Sequence, residues 1–71
     1  MMNDFASNLK VAIEDSLMTK AEICRRAGVS NNQLIMLLKG KSMPRLSTIG
    51  KLARALGVDA RQLMYGKSEQ A

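Results

Sequence analysis

Residues 19–38 constrain this chain more than any other stretch, because they read as two short amphipathic helices joined by a tight glycine turn. Thr19 offers a hydroxyl to the free amides of a helix start, and Glu22 stands three residues on. This is the capping-box pattern, and it sets the start near Lys20. Ile23, Cys24 and Ala27 share one face at helical spacing, while Lys20, Arg25 and Arg26 point elsewhere. Gly28 ends the helix, since glycine adopts the left-handed backbone of a helix C-terminus at least cost, and Val29 can tuck back onto the apolar face. Ser30 is a second N-cap, opening a helix over residues 31–39 that Gly40 stops. Two helices so closely joined must cross steeply, which leaves the second exposed along its outer face.

The rest of the chain reads as a scaffold for that pair. Phe5, Leu9, Ala12, Ile13 and Leu17 recur at three- and four-residue steps and predict a first helix over residues 4–17. Ser42, Met43 and Pro44 form a connection, with Pro44 suited to the opening of the next helix. Leu46, Ile49, Leu52, Ala53 and Leu56 keep helical spacing over residues 45–56, and Gly57 ends that segment. Asp59 caps a last helix over residues 60–65, with Leu63 and Met64 as apolar anchors and Gly66 closing it. The tail, residues 67–71, is polar and expected to fray. No strand signal and no repeat interrupts this pattern, so the expected fold is all-α, five helices in a single domain over residues 1–71.

Composition narrows the function classes. A 71-residue chain has a core that is marginal alone, and a homodimer would supply the missing burial. With no His, one Cys and six acidic residues, a metal cluster, a Cys/His pair or a Ser/His/Asp triad cannot be assembled. The chain therefore reads as a non-enzyme with no cofactor. Cys24 lies on an inward face and reads as a small buried hydrophobe, with redox sensing as the alternative. No apolar run is long enough for a membrane span, and the N-terminus lacks a signal-peptide pattern, so a cytoplasmic protein is expected. The net charge of +5 favours a polyanionic partner. Between Ile23 and Val58 there is no acid, yet that window holds Arg25, Arg26, Lys39, Lys41, Arg45, Lys51 and Arg54. A solvated basic surface is the alternative. An exposed helix inside such a positive field suits the major groove of double-stranded DNA.

Taken as a set, four features carry a family resemblance. They are the Thr-capped helix, Ala27-Gly28-Val29-Ser30 at the turn, Gly40-Lys41 followed by Pro44, and Ala55-Leu56-Gly57-Val58 between the last two helices. Over roughly residues 5–66 the chain resembles the Cro/C1-type (XRE) helix-turn-helix family, with the motif at about residues 19–38. The resemblance implies a lambda-repressor-like fold and operator binding by a two-fold dimer. It departs from the family at three positions. Lys20 stands where many members carry Gln, and Ile13 and Leu38 occupy the places of a common Arg–Glu ion pair. Because an apolar pair can replace a buried ion pair without loss of stability, Ile13 and Leu38 are expected to touch and the fold to survive.

The resemblance places the recognition helix at Ser30 and implies base reading by Ser30, Asn31, Asn32, Gln33, Ile35 and Met36. An asparagine amide can donate to and accept from adenine, whereas Ile35 and Met36 suit thymine methyls. Helix capping and solvation is the bland role for the two asparagines. Lys20, Lys39, Lys41, Ser42 and Arg45 are the implied phosphate contacts. Leu63, Met64 and Tyr65 offer a dimer surface, with core closure as the other role. The expectation is thus a small Cro-like repressor of phage, prophage or plasmid type, or a controller protein of a restriction-modification system, acting through this domain alone and with no small-molecule ligand. An antitoxin-like or anti-repressor protein-interaction module, using the apolar run from Leu34 to Leu38, is the alternative.

Overall fold

Capping chemistry sets the helix boundaries in the computed structural model, which describes residues 5–66. Five helices follow in order, α1 (Phe5–Ser16), α2 (Lys20–Ala27), α3 (Asn31–Leu38), α4 (Leu46–Leu56) and α5 (Ala60–Tyr65), and no strand occurs among the described residues. Asp4 and the tail at residues 67–71, which the sequence assigns to the first helix and to a frayed end, lie outside the described residues. The Thr19 hydroxyl accepts from the Glu22 amide at 3.1 Å, and the Ser30 hydroxyl accepts from the Gln33 amide at 3.0 Å. Glu22 itself turns its carboxylate forward to Arg26 at 2.9 Å. Gly28 takes φ 73° behind α2, and the amides of Gly28 and Val29 both return to the Cys24 carbonyl at 2.8 and 3.0 Å. Lys39 caps α3, Gly40 takes φ 72°, and the Lys41 amide reaches back to the Met36 carbonyl at 3.0 Å. Positive φ costs glycine little, so these two positions turn the chain sharply without strain.

The core has no buried polar or charged residue among the described residues. Leu9 of α1, Ile23 of α2, Leu34 of α3, Leu52 of α4 and Leu63 of α5 are its largest fully buried side chains, one from each helix. α1 packs on α5 and α3, α2 packs on α4 and α3, and α4 packs on α5. The Asn8 side-chain amide donates to the Leu63 carbonyl at 2.9 Å and ties the first helix to the last. Five helices with amphipathic faces can bury those faces only against one another, and a shared central cluster is the result.

Two positions depart from the predicted stripes. Leu17, expected on the core face of the first helix, is 92% exposed and sits at φ 62°. Ser16 is the cause. Its hydroxyl donates to the Ile13 carbonyl at 2.7 Å and accepts from the Met18 amide at 3.1 Å, which ends α1 one residue early and swings Leu17 outward. Met18 packs on the core in its place. Leu46, expected on the core stripe of α4, is exposed as well. It opens the helix, with Arg45 as N-cap, and that first turn overhangs the core that Ile49 and Leu52 enter.

Candidate nucleic-acid interface

The two leucines at 34 and 37 anchor α3 in the core and thereby decide what it shows outside. At 100° per residue, Asn32, Ile35 and Met36 fall on the opposite arc and Asn31 and Gln33 flank it in the first turn; all five are exposed, as is the N-cap Ser30. Ile35 and Met36 keep 44% and 36% of their surface in solvent, and Leu38 is half-buried. The apolar run from Leu34 to Leu38 is therefore amphipathic, with two of its five residues exposed. α3 carries no charge of its own.

Cations surround that arc. Lys20 at the start of α2 borders a cleft of about 230 Å³ that it shares with Asn31 and Ile35. Lys39 and Lys41 follow α3 directly, and the hydrogen bond from the Lys41 amide to the Met36 carbonyl holds the loop against the helix end. Ser42 and Arg45 are exposed beyond them, and no side chain caps the first amides of α4. Lys20, Lys39, Lys41 and Arg45 form no ion pair among the described residues, whereas Arg26 is engaged by Glu22. Unpaired cations and free helix-start amides are suited to phosphate oxygens.

The turn has a fastener that sequence reasoning missed. The Cys24 thiol donates to the Ser30 carbonyl at 3.7 Å, joining the inner face of α2 to the cap of α3. Burial pushes that thiol up from its ordinary value, so it stays protonated in this role. Only the folded turn brings residues 24 and 30 together, and no local pattern announces it.

Ile13 and Leu38 line one cleft between α1 and α3, on facing helices. Lys10, a first-helix residue absent from the predicted site, borders the same cleft. At the other end of the molecule Leu63 is 0% exposed, so it is a core residue and not a surface for a second copy. Met64 is half-buried and Tyr65 is 66% exposed. Val11 of α1 is exposed beside α5, in a depression shared with Gln62 and Gly66.

An exposed third helix, a capped glycine turn and a cationic border define a helix-turn-helix DNA-binding module. Residues 9–63 match the Helix-turn-helix family of XRE type, and the chain belongs to that family. It is a DNA-binding regulator by class. The solution structure of the DNA-binding domain of the P22 c2 repressor is similar at TM-score 0.89 and 17% identity, over 100% of this chain and 93% of that one. The restriction-modification controller protein C.AhdI of Aeromonas hydrophila is similar at TM-score 0.80 and 22% identity, over 84% and 91% of the two chains. These likenesses establish a lambda-repressor-like fold. The same unit also resembles part of HEPD from Streptomyces albus, solved with 2-hydroxyethylphosphonate and Fe(II), at TM-score 0.81 and 24% identity, covering 92% of this chain but 15% of that one. Among the described residues of the present chain no cluster of His, Cys, Asp or Glu is placed to hold a metal. No curated protein sequence matches the chain. No helix among the described residues is long and apolar enough to cross a membrane.

Proposed function

We propose that this protein is a sequence-specific operator-binding repressor of Cro-like type, cytoplasmic and without catalytic activity, which enters the major groove with α3. The observation that carries the reading is the exposed surface of α3, three amides and two large apolar side chains without a charge, set among cations that form no ion pair among the described residues. Stability alone does not call for this pattern, since a solvated helix face is ordinarily built from charged residues. In this reading Asn31 and Asn32 contact base edges, Ser30 and Gln33 lie at the groove entrance, and Ile35 and Met36 read thymine methyls. Lys20, Lys39, Lys41 and Arg45, with the amides near Ser42, hold phosphates and set the register. The P22 c2 repressor, whose fold this chain shares at TM-score 0.81, is solved in complex with a synthetic operator, which supports the mode.

Two copies act together, joined through Met64, Tyr65 and Val11 and presenting their reader helices to successive major grooves about 34 to 36 Å apart. The α1–α5 surface is suited to this because Tyr65 keeps an apolar ring at a wet edge. The test is selection of bound sequences from a randomised duplex pool over a salt series, with the mass of the complex counting chains per DNA. Enrichment of a two-fold symmetric site by two chains is the expected result. Salt-sensitive binding with no enriched sequence removes the base-reading roles, and absence of DNA binding removes the proposal.

A further inference from the structure

The first three helices converge on one cleft of about 410 Å³. Ile13, Ile35 and Leu38 form its apolar floor. Lys10 of α1, Lys20 at the start of α2 and Lys39 at the end of α3 stand around it, with Glu14 as the single acid. None of these four forms an ion pair among the described residues. The contrast with α2 is informative, because Glu22 and Arg26 at the same four-residue spacing pair at 2.9 Å. Lys10 and Glu14 have the reverse order along the helix, which is the weaker arrangement. The Lys10 ammonium is thus left available at the cleft edge.

We infer that Lys10 is a phosphate-positioning residue and that this cleft seats the sugar-phosphate backbone of one DNA strand, with Glu14 limiting how tightly it is held. The inference rests on the DNA-binding reading above. The match is chemical. A DNA strand alternates apolar deoxyribose with anionic phosphate, and the cleft sets an apolar floor among three cations. The geometry extends the phosphate grip from α2 and the loop after α3 onto α1, so the first helix takes part in binding and not only in the core. Glu14 repels the phosphates that Lys10, Lys20 and Lys39 attract, and removing its charge tightens binding to every sequence alike.

The test measures binding of the full chain to its selected duplex, and to a duplex with altered half-sites, between 50 and 200 mM salt. Lys10→Ala, Lys10→Arg and Glu14→Gln are compared with the unaltered protein. Lys10→Ala is expected to lower the slope of log affinity on log salt by about 0.9. It should also weaken both duplexes by roughly the same factor, on the order of tenfold. Lys10→Arg restores the slope, and Glu14→Gln tightens binding to both duplexes about threefold. Because Lys10 and Glu14 are exposed, thermal melting of all variants should stay near that of the unaltered protein. An unchanged slope for Lys10→Ala while the unaltered protein binds overturns the inference alone, as does a loss confined to one duplex. Failure of the unaltered protein to bind any duplex overturns the inference together with the DNA-binding reading.

Discussion

α2 and α3 have the same number of residues and the same punctuation, yet they spend their outer surfaces differently. Each is eight residues long, each opens on a hydroxyl that caps an amide three residues on, and each is followed by a glycine at a φ of about 70°. Each buries an inward face in the same core, Ile23, Cys24 and Ala27 on one and Leu34 and Leu37 on the other. Outside, α2 carries Lys20, Glu22, Arg25 and Arg26 and closes an ion pair between Glu22 and Arg26, with Lys20 at its start beside α3. α3 shows amides and two apolar side chains and no charge. Equal length and capping with unequal surfaces teach that the outer face of α3 is organised for something other than folding.

The comparison is first sharpened by stability. Ile23→Ala and Leu34→Ala should each cost about 2 to 5 kcal/mol in denaturant unfolding, because both remove a fully buried side chain from the same cluster. Met36→Ala and Asn32→Ala should stay within about 0.5 kcal/mol. A large stability loss at Asn32 would give the outer arc of α3 a structural role and break the contrast.

Binding gives the next largest effect. Asn31→Ala or Asn32→Ala should reduce discrimination between the selected site and its mismatches by about 1 to 3 kcal/mol. Lys41→Ala and Arg45→Ala should weaken all duplexes alike and flatten the salt dependence by about 0.9 per contact. Equal losses on every sequence from both kinds of variant would contradict the division between readers and phosphate contacts.

The caps test the shared part of the comparison. Thr19→Ala and Ser30→Ala should each lower stability by about 1 kcal/mol and by similar amounts, since each hydroxyl accepts one amide hydrogen bond. The junction before α2 offers a smaller contrast. There Leu17 holds the left-handed backbone that Gly28 and Gly40 hold elsewhere, with its side chain in solvent. Leu17→Asn should raise the unfolding free energy by about 0.5 kcal/mol, because Asn tolerates that conformation better and no packing is lost. A measured loss would mean that Leu17 makes a contact in solution.

The smallest effect comes from α5, whose cap is charged where the other two are neutral. Asp59 accepts from the Arg61 amide at 2.9 Å and from its guanidinium at 3.3 Å, and these hold its carboxyl below the ordinary 3.8. A carboxyl whose folded value is depressed contributes stability at pH above its unfolded value, and that contribution is lost as pH falls through the folded value. Unfolding followed from pH 5 to pH 2 should show a dependence that Asp59→Asn reduces. The Thr19 and Ser30 caps should show none of their own.

What was legible in the sequence was what depends on near neighbours. Thr19, Ser30 and Asp59 announced helix starts, and Gly28, Gly40 and Gly57 announced ends, because a cap satisfies amides or carbonyls only a few residues away. The outward arc of α3 followed from period alone once Leu34 and Leu37 were taken as inward. Periodicity was less reliable where a helix runs off its core. It assigned Leu17 and Leu46 to inward stripes, but the Ser16 side chain ended α1 early and the first turn of α4 overhung the core. Leu63 shows the same difficulty in reverse, since an apolar residue near a chain end serves a core or an interface with the same pattern, and here it is core.

By itself the sequence determined the number and kind of helices, the glycine turn between α2 and α3, and the family, because these rest on hydrogen bonds and side-chain spacing within a few residues. The tertiary structure alone decided that Cys24 fastens the turn, that Asn8 ties α1 to α5, and that Lys10 joins Lys20 and Lys39 around one cleft. Each of the last two unites residues from separate helices, and the thiol bond spans the turn, so all three depend on how packed faces orient the helices. Local chemistry does not encode that orientation, which comes from burying five apolar faces at once.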